Sequence, residues 1–262
     1  MWKYNYECYN IYRHGGDYVK IKSFKKYKNG QYKIILENKE TMLHEDLILK
    51  HNLLITKSIT EKQLMKLENE NIKYLIYDVA LKYLKTRLRS RYEVFTYLKK
   101  QNYDDDIIND VIKLLEKQGY INDNIYTEAY INDKINFSNY GPYKIKTELL
   151  KNKIDKTTID KYIEKFNEEL ELSRIEKLIN KAIKTNKNKS KNNLKQKVSI
   201  ELNNLGYTKT YINQLLYLLD SIDDSSIKQK EYDKLYSKLS KKYSGYELEQ
   251  KVKQKMYQKG FY

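Results

Sequence analysis

One pattern constrains this chain more than any other: the same apolar positions return four times at nearly constant spacing. With Tyr103, Ile154, Tyr207 and Phe261 as anchors, the separations are 51, 53 and 54 residues. Nine residues before each anchor stand Val94, Ile145, Val198 and Val252, and five before stand Leu98, Leu149, Leu202 and Met256. Five after the first three anchors are Ile108, Ile159 and Ile212, and eight after are Val111, Tyr162 and Leu215. Offsets of −9 and −5 share one face of a helix, and +5 and +8 share one face of the next. Each copy therefore turns the same helix faces toward a common core, which is the signature of a stacked helical array.

Capping signals place the helices. Thr60 with Gln63, and Ser90 with Glu93, have capping-box spacing, and Asp104 can cap a third helix that ends at Gly119. With a single proline and eight glycines in 262 residues, helices meet few breakers. Before residue 56 the pattern differs. Residues 19–38 read as two strands around Asn29-Gly30, a tight-turn dipeptide, with a short third strand over 40–43 and a short helix over 44–54. The expected organisation is an unassigned stretch at 1–17, open to disorder, then a β-rich module at 18–55. Three-helix repeats follow at 56–121, 122–168 and 169–222, with a truncated two-helix repeat at 223–262. The fold class is mainly α, an elongated curved array of tandem three-helix repeats behind a small β-hairpin or three-strand module.

Motifs of catalysis are missing: the chain has no P-loop, no glycine-rich dinucleotide fingerprint and no nucleophile elbow. The histidines, His14, His44 and His51, lack a nearby set of cysteines or carboxylates, so structural roles are expected and no metal or cofactor is. Asp104-Asp105-Asp106 is explained by capping and by the helix dipole. Cys8 is the only cysteine, which fits a reducing compartment. There is no apolar leader and no run long enough for a membrane span, so a cytoplasmic, non-enzymatic protein is expected. No heptad seam persists across the repeats, which favours a monomer.

The formal net charge is +16, well beyond what solubility needs and suited to polyanionic partners. AT-rich coding, which enriches Lys, Asn, Ile and Tyr, offers a second source for it. Two tracts concentrate the charge. The first holds Lys82, Lys85, Arg87, Arg89, Arg91, Lys99 and Lys100 against one acid, Glu93. The second, residues 177–197, holds Lys177, Lys181, Lys184, Lys187, Lys189, Lys191, Lys195 and Lys197 and no acid. Lys144 and Lys146 add to the candidate surface. Such clusters attract phosphates in a salt-sensitive, sequence-independent way. A solvated helix end explains Arg87 and Arg89 as well, and a solvated junction explains the second tract.

Ala80, Leu84, Arg87, Arg89, Ser90, Glu93, Val94 and Leu98, in that order and spacing, resemble the first-repeat signature of the RecX family. Gly119-Tyr120-Ile121-Asn122-Asp123 with Tyr126 and Tyr130 is similar to the family's link into its second repeat. Gly141-Pro142, Ile145 and Glu148-Leu149 resemble the start of that repeat's second helix. The N-terminal hairpin followed by His44-Glu45-Asp46 looks like the extension of the longer members, so the likeness covers about 18–262. One departure is Asn152-Lys153-Ile154, where the family has Lys-Gly-Ile. The resemblance implies a regulator that lodges on the RecA–DNA filament and limits its growth, ATP turnover and strand exchange. It also implies RecA and single- and double-stranded DNA as partners. The residues alone leave open a general DNA- or RNA-binding helical repeat without RecA dependence, and a protein-binding scaffold.

Overall fold

The computed structural model describes residues 18–262, so the expectations for 1–17, including Cys8 and His14, fall outside it. The chain divides into two compact units, one ending at Ile121 and the other beginning at Asn122.

The first unit opens with strands β1 (Tyr18–Lys26), β2 (Gln31–Leu36) and β3 (Glu40–His44), then α1 (Glu45–Lys50) and β4 (Ser58–Thr60). They form an antiparallel sheet in the order β3-β2-β1-β4. Asn29 and Gly30 both take positive φ, at 56° and 68°, as a type I′ hairpin turn requires. The sequence reading missed β4. It is only three residues long and runs straight into a helix cap, so its alternation is too short to register. α1 is shorter than the 44–54 expected, because Asn52 at φ 51° turns the chain out of the helix. Val19, Ile34, Leu43, Leu47 and Leu64 close the core of this module.

Helices α2 (Glu61–Leu84), α3 (Arg91–Lys99) and α4 (Asp105–Lys117) complete the unit. Both capping boxes form: Thr60 and Ser90 accept from the N3 amides of Gln63 and Glu93, whose side chains reach back to the cap amides. Asp104 caps α4. Ile76, Ala80, Val94, Leu98, Ile108 and Leu115 are fully buried between the three helices.

The second unit holds α5 (Asp123–Phe137), α6 (Pro142–Lys151), α7 (Lys156–Ile163), α8 (Glu168–Thr185), α9 (Lys191–Asn204) and α10 (Lys209–Leu215). A 3-10 turn over Leu216–Ser221 precedes α11 (Ser225–Leu239) and α12 (Gly245–Gln258). Every −9 and −5 position is buried, as are the three at +5. At the third helix of the second and third triplets the register differs by one place, while in the first Val111, eight after its anchor, is buried as expected. Tyr162 and Leu215, eight after their anchors, are half-buried, whereas Ile112, Ile163 and Leu216, nine after, are buried. Offsets +5 and +9 stand one full turn apart on the same face, and an apolar residue at +8 disguised this in the sequence.

The residue before each anchor takes the left-handed conformation: Asn102 at φ 64°, Lys153 at 58°, Gly206 at 83° and Gly260 at 78°. Lys153 therefore makes the same turn a glycine would, with Ile154 N donating to the Leu149 carbonyl at 3.2 Å. For a lysine that conformation costs about 1 kcal/mol. Inside the second unit these turns also join one triplet to the next. Gly141 N donates to Leu205 O at 2.7 Å and Tyr143 N to Gly206 O at 3.0 Å. A Cβ on Gly206 would lie 2.4 Å from Lys144 N, and one on Gly141 would lie 2.5 Å from the Gly206 carbonyl. The α11–α12 pair attaches through the equivalent turn. There Ser190 Oγ donates to Lys259 O at 2.7 Å and Asn192 to Gly260 O at 2.9 Å.

Candidate nucleic-acid and partner interface

In the first unit, Glu93 does two things at once. As the N3 residue of α3 it closes the capping box, and its carboxylate then faces the residues that lead into the helix. Arg87 Nη2 donates to Glu93 Oε1 at 2.6 Å, and Arg89 Nη1 stands 3.6 Å from the same oxygen. The Arg89 guanidinium lies 4.1 Å above the Tyr83 ring, which stacks on Tyr97 with centroids 3.9 Å apart. Only 14% of the Arg89 side chain is exposed. Arg91 Nε is 3.1 Å from Glu116, and its Nη2 donates to Asn109 at 3.3 Å. Lys99 pairs with Asp105 at 2.6 Å. The arginines of the first tract thus clamp the α2–α3 connection and tie α3 to α4. Arg89 in particular faces inward and does not belong to an exposed binding surface. Lys82, Lys85 and Lys100 are exposed and make no ion pair among the described residues.

In the second unit Lys146 donates to Asp160 at 2.9 Å, and that hydrogen bond holds the Asp160 carboxyl below the usual carboxylate range. Lys144 Nζ lies 4.1 Å over the Tyr140 ring. Both candidates are therefore engaged within their own triplet. On α8 and the loop after it, Lys184, Lys187 and Lys189 are exposed with no ion pair among the described residues, and Lys177 and Lys181 are in the same position. Lys191 is half-buried, and its backbone amide donates to Asp224 at 2.7 Å. Lys195 pairs with Asp220 at 3.3 Å and Lys197 donates to Asn186 at 3.1 Å.

Sequence reading missed Arg174. Its guanidinium donates to the carbonyls of Ile135 and Ser138, satisfying the end of α5, and reaches the Tyr207 hydroxyl at 3.4 Å. Burial pushes the Tyr207 hydroxyl up in pKa. A lone arginine in a lysine-rich helix was the only signal for it. The remaining polar clusters are structural. His44 caps α1 by accepting from Asp46 N at 3.2 Å and stacks on Tyr74. Among the described residues no set of His, Cys, Asp and Glu could hold a metal ion, and no helix is long and apolar enough to cross a membrane.

Family models for the first and second three-helix domains of RecX match residues 77–115 and 122–163. A regulatory protein RecX of Halalkalibacterium halodurans is 30% identical over 269 residues, covering 99% of this chain and 92% of the relative. The chain belongs to the RecX family. A RecX of Oceanobacillus iheyensis is 27% identical over 253 residues, covering 93% of each chain. The crystal structure of RecX from Lactobacillus salivarius is 29% identical with a TM-score of 0.52, covering 57% of this chain and 97% of that one. A second RecX crystal structure has a TM-score of 0.64 at 23% identity, covering 76% of this chain and 98% of that one, and it bears on the fold alone. RecX proteins are regulatory proteins, and the helix triplets with a small strand module in front are the architecture this chain shares with them.

Proposed function

We propose that this chain binds RecA–DNA filaments and limits their growth, ATP turnover and strand exchange, acting by binding alone, without cofactor or catalysis. The observation that carries the reading is family membership over almost the whole chain. In this reading the triplets 56–121, 122–168 and 169–222, and the pair 223–262, are successive copies of one unit. Such copies present similar surfaces at intervals, which suits a partner that is itself a row of identical protomers. The unpaired lysines supply contacts to phosphates of single- and double-stranded DNA or to acidic protein surface. The protein works as a monomer in the cytoplasm.

The test is RecA's ATP hydrolysis on single-stranded DNA, with this protein titrated in well below the RecA concentration. Inhibition at that ratio is expected, because simple competition for DNA needs far more protein. A second reading, a general nucleic-acid binder without RecA dependence, is favoured by Lys184, Lys187 and Lys189, which project without acidic neighbours. It takes over if hydrolysis falls only once the DNA itself is saturated.

A further inference from the structure

The second unit contains a cleft of about 440 Å³ between the C-terminal end of α5 and one side of α8, within the size range of small-ligand sites. Phe137, on its rim, is 86% exposed, the highest value among the large hydrophobic side chains described. A single exposed apolar residue is ordinary. The surroundings of this one are not. Lys177 and Lys181 stand one helical turn apart on the facing helix, about 6 Å along its axis. No carboxylate lines the cleft. Arg174 puts a third positive charge in its wall, fixed by the three hydrogen bonds described above. Asn136 and Asn139 also line it, and their amides make no internal hydrogen bond among the described residues.

We infer that this cleft receives single-stranded nucleic acid, one base stacking on Phe137 and the adjoining phosphates meeting Lys177 and Lys181. An aromatic face offers the sequence-tolerant stacking that unpaired bases seek. Free amides suit base edges, and the lysines suit the backbone. A duplex keeps its bases stacked inside, where Phe137 cannot reach them. An acidic protein segment fits less well. The group that grips carboxylates best is a free guanidinium fork, and the one here already serves main-chain carbonyls. The inference rests on the nucleic-acid contact in the proposal above, but not on RecA.

Fluorescence anisotropy of a labelled oligothymidylate, beside a duplex of equal length, tests it on the full chain. Phe137→Ala is expected to weaken oligothymidylate binding at least about fivefold while leaving duplex binding unchanged. K177A/K181A is expected to lower the slope of log Kobs against log salt by about 1.4. All three positions lie on the surface, and an unchanged far-ultraviolet circular dichroism spectrum checks that each variant is folded. Wild-type affinity and slope in both variants overturn the site and leave the cleft to an acidic protein segment. An equal loss on single strand and duplex overturns the stacking role. If the unaltered protein binds neither DNA, this site and the nucleic-acid contact both fall, while the ATPase titration with RecA still judges the filament reading.

Discussion

In the first tract the three arginines turn their heads onto Glu93, Glu116 and the ring of Tyr83, whereas Lys184, Lys187 and Lys189, at the end of α8 and just after it, are exposed with no ion pair among the described residues. Both groups are cationic, yet only the arginines are tied into the fold, and Lys82, Lys85 and Lys100 of the same tract stay exposed without an ion pair, like the lysines after α8. The difference lies in chemistry as well as place. A guanidinium can stack on a ring and bridge a carboxylate while half-buried, and an ammonium on a flexible stem is best left in water. What marks a binding surface is therefore not how many cations a segment holds but whether each already has a partner.

The sharpest way to break this comparison is at Arg89. Charge reversal, Arg89→Glu, sets a second carboxylate against Glu93 in a poorly hydrated corner and removes the stack on Tyr83. It is expected to cost about 3 kcal/mol of stability, read as a lower urea midpoint in circular dichroism. A fully stable variant would return Arg89 to the list of surface residues. Next in size is the triple variant K184E/K187E/K189E. Its urea midpoint is expected to stay put, while the slope of log Kobs against log salt for single-stranded DNA falls by about 2. Loss of stability with no change in slope would reverse the roles given to the two groups. The smallest effect belongs to Arg91→Ala, where a partly exposed pair with Glu116 is lost. A drop of under about 1 kcal/mol is expected, with DNA binding little altered.

The sequence carried the helix triplets plainly, because Val94, Ile145, Val198 and Val252 must face a core whatever surrounds them. It carried the caps at Thr60, Ser90 and Asp104 equally well, since those bonds are local. Its errors lie where a long-range neighbour decides. The inward turn of Arg89 depends on Tyr83 one helix back. Nothing in the local spacing says that Lys146 will find Asp160 across the next turn, or that Arg174 will close the end of α5. Ser58–Thr60 becomes a strand only because Tyr18–Lys20 lies alongside. Phe137 went unnoticed for the opposite reason: it sits just outside the core periodicity, and only the cleft beside it gives the position meaning.

The meeting of Gly141 and Gly206 has a consequence for how such a chain can lengthen or shorten. Main chain touches main chain there, and side chains add to the seam: Arg174 reaches back to the Ile135 and Ser138 carbonyls and Phe166 meets the Tyr207 ring. Gly141 and Gly206 must both stay bare for the backbones to approach. A duplicated triplet spliced in at this seam would meet both neighbours if it carried these same glycines and crossing side chains. Growth of the array by whole copies thus needs the bare positions and the few crossing side chains kept together, so that each copy brings its own half of the seam.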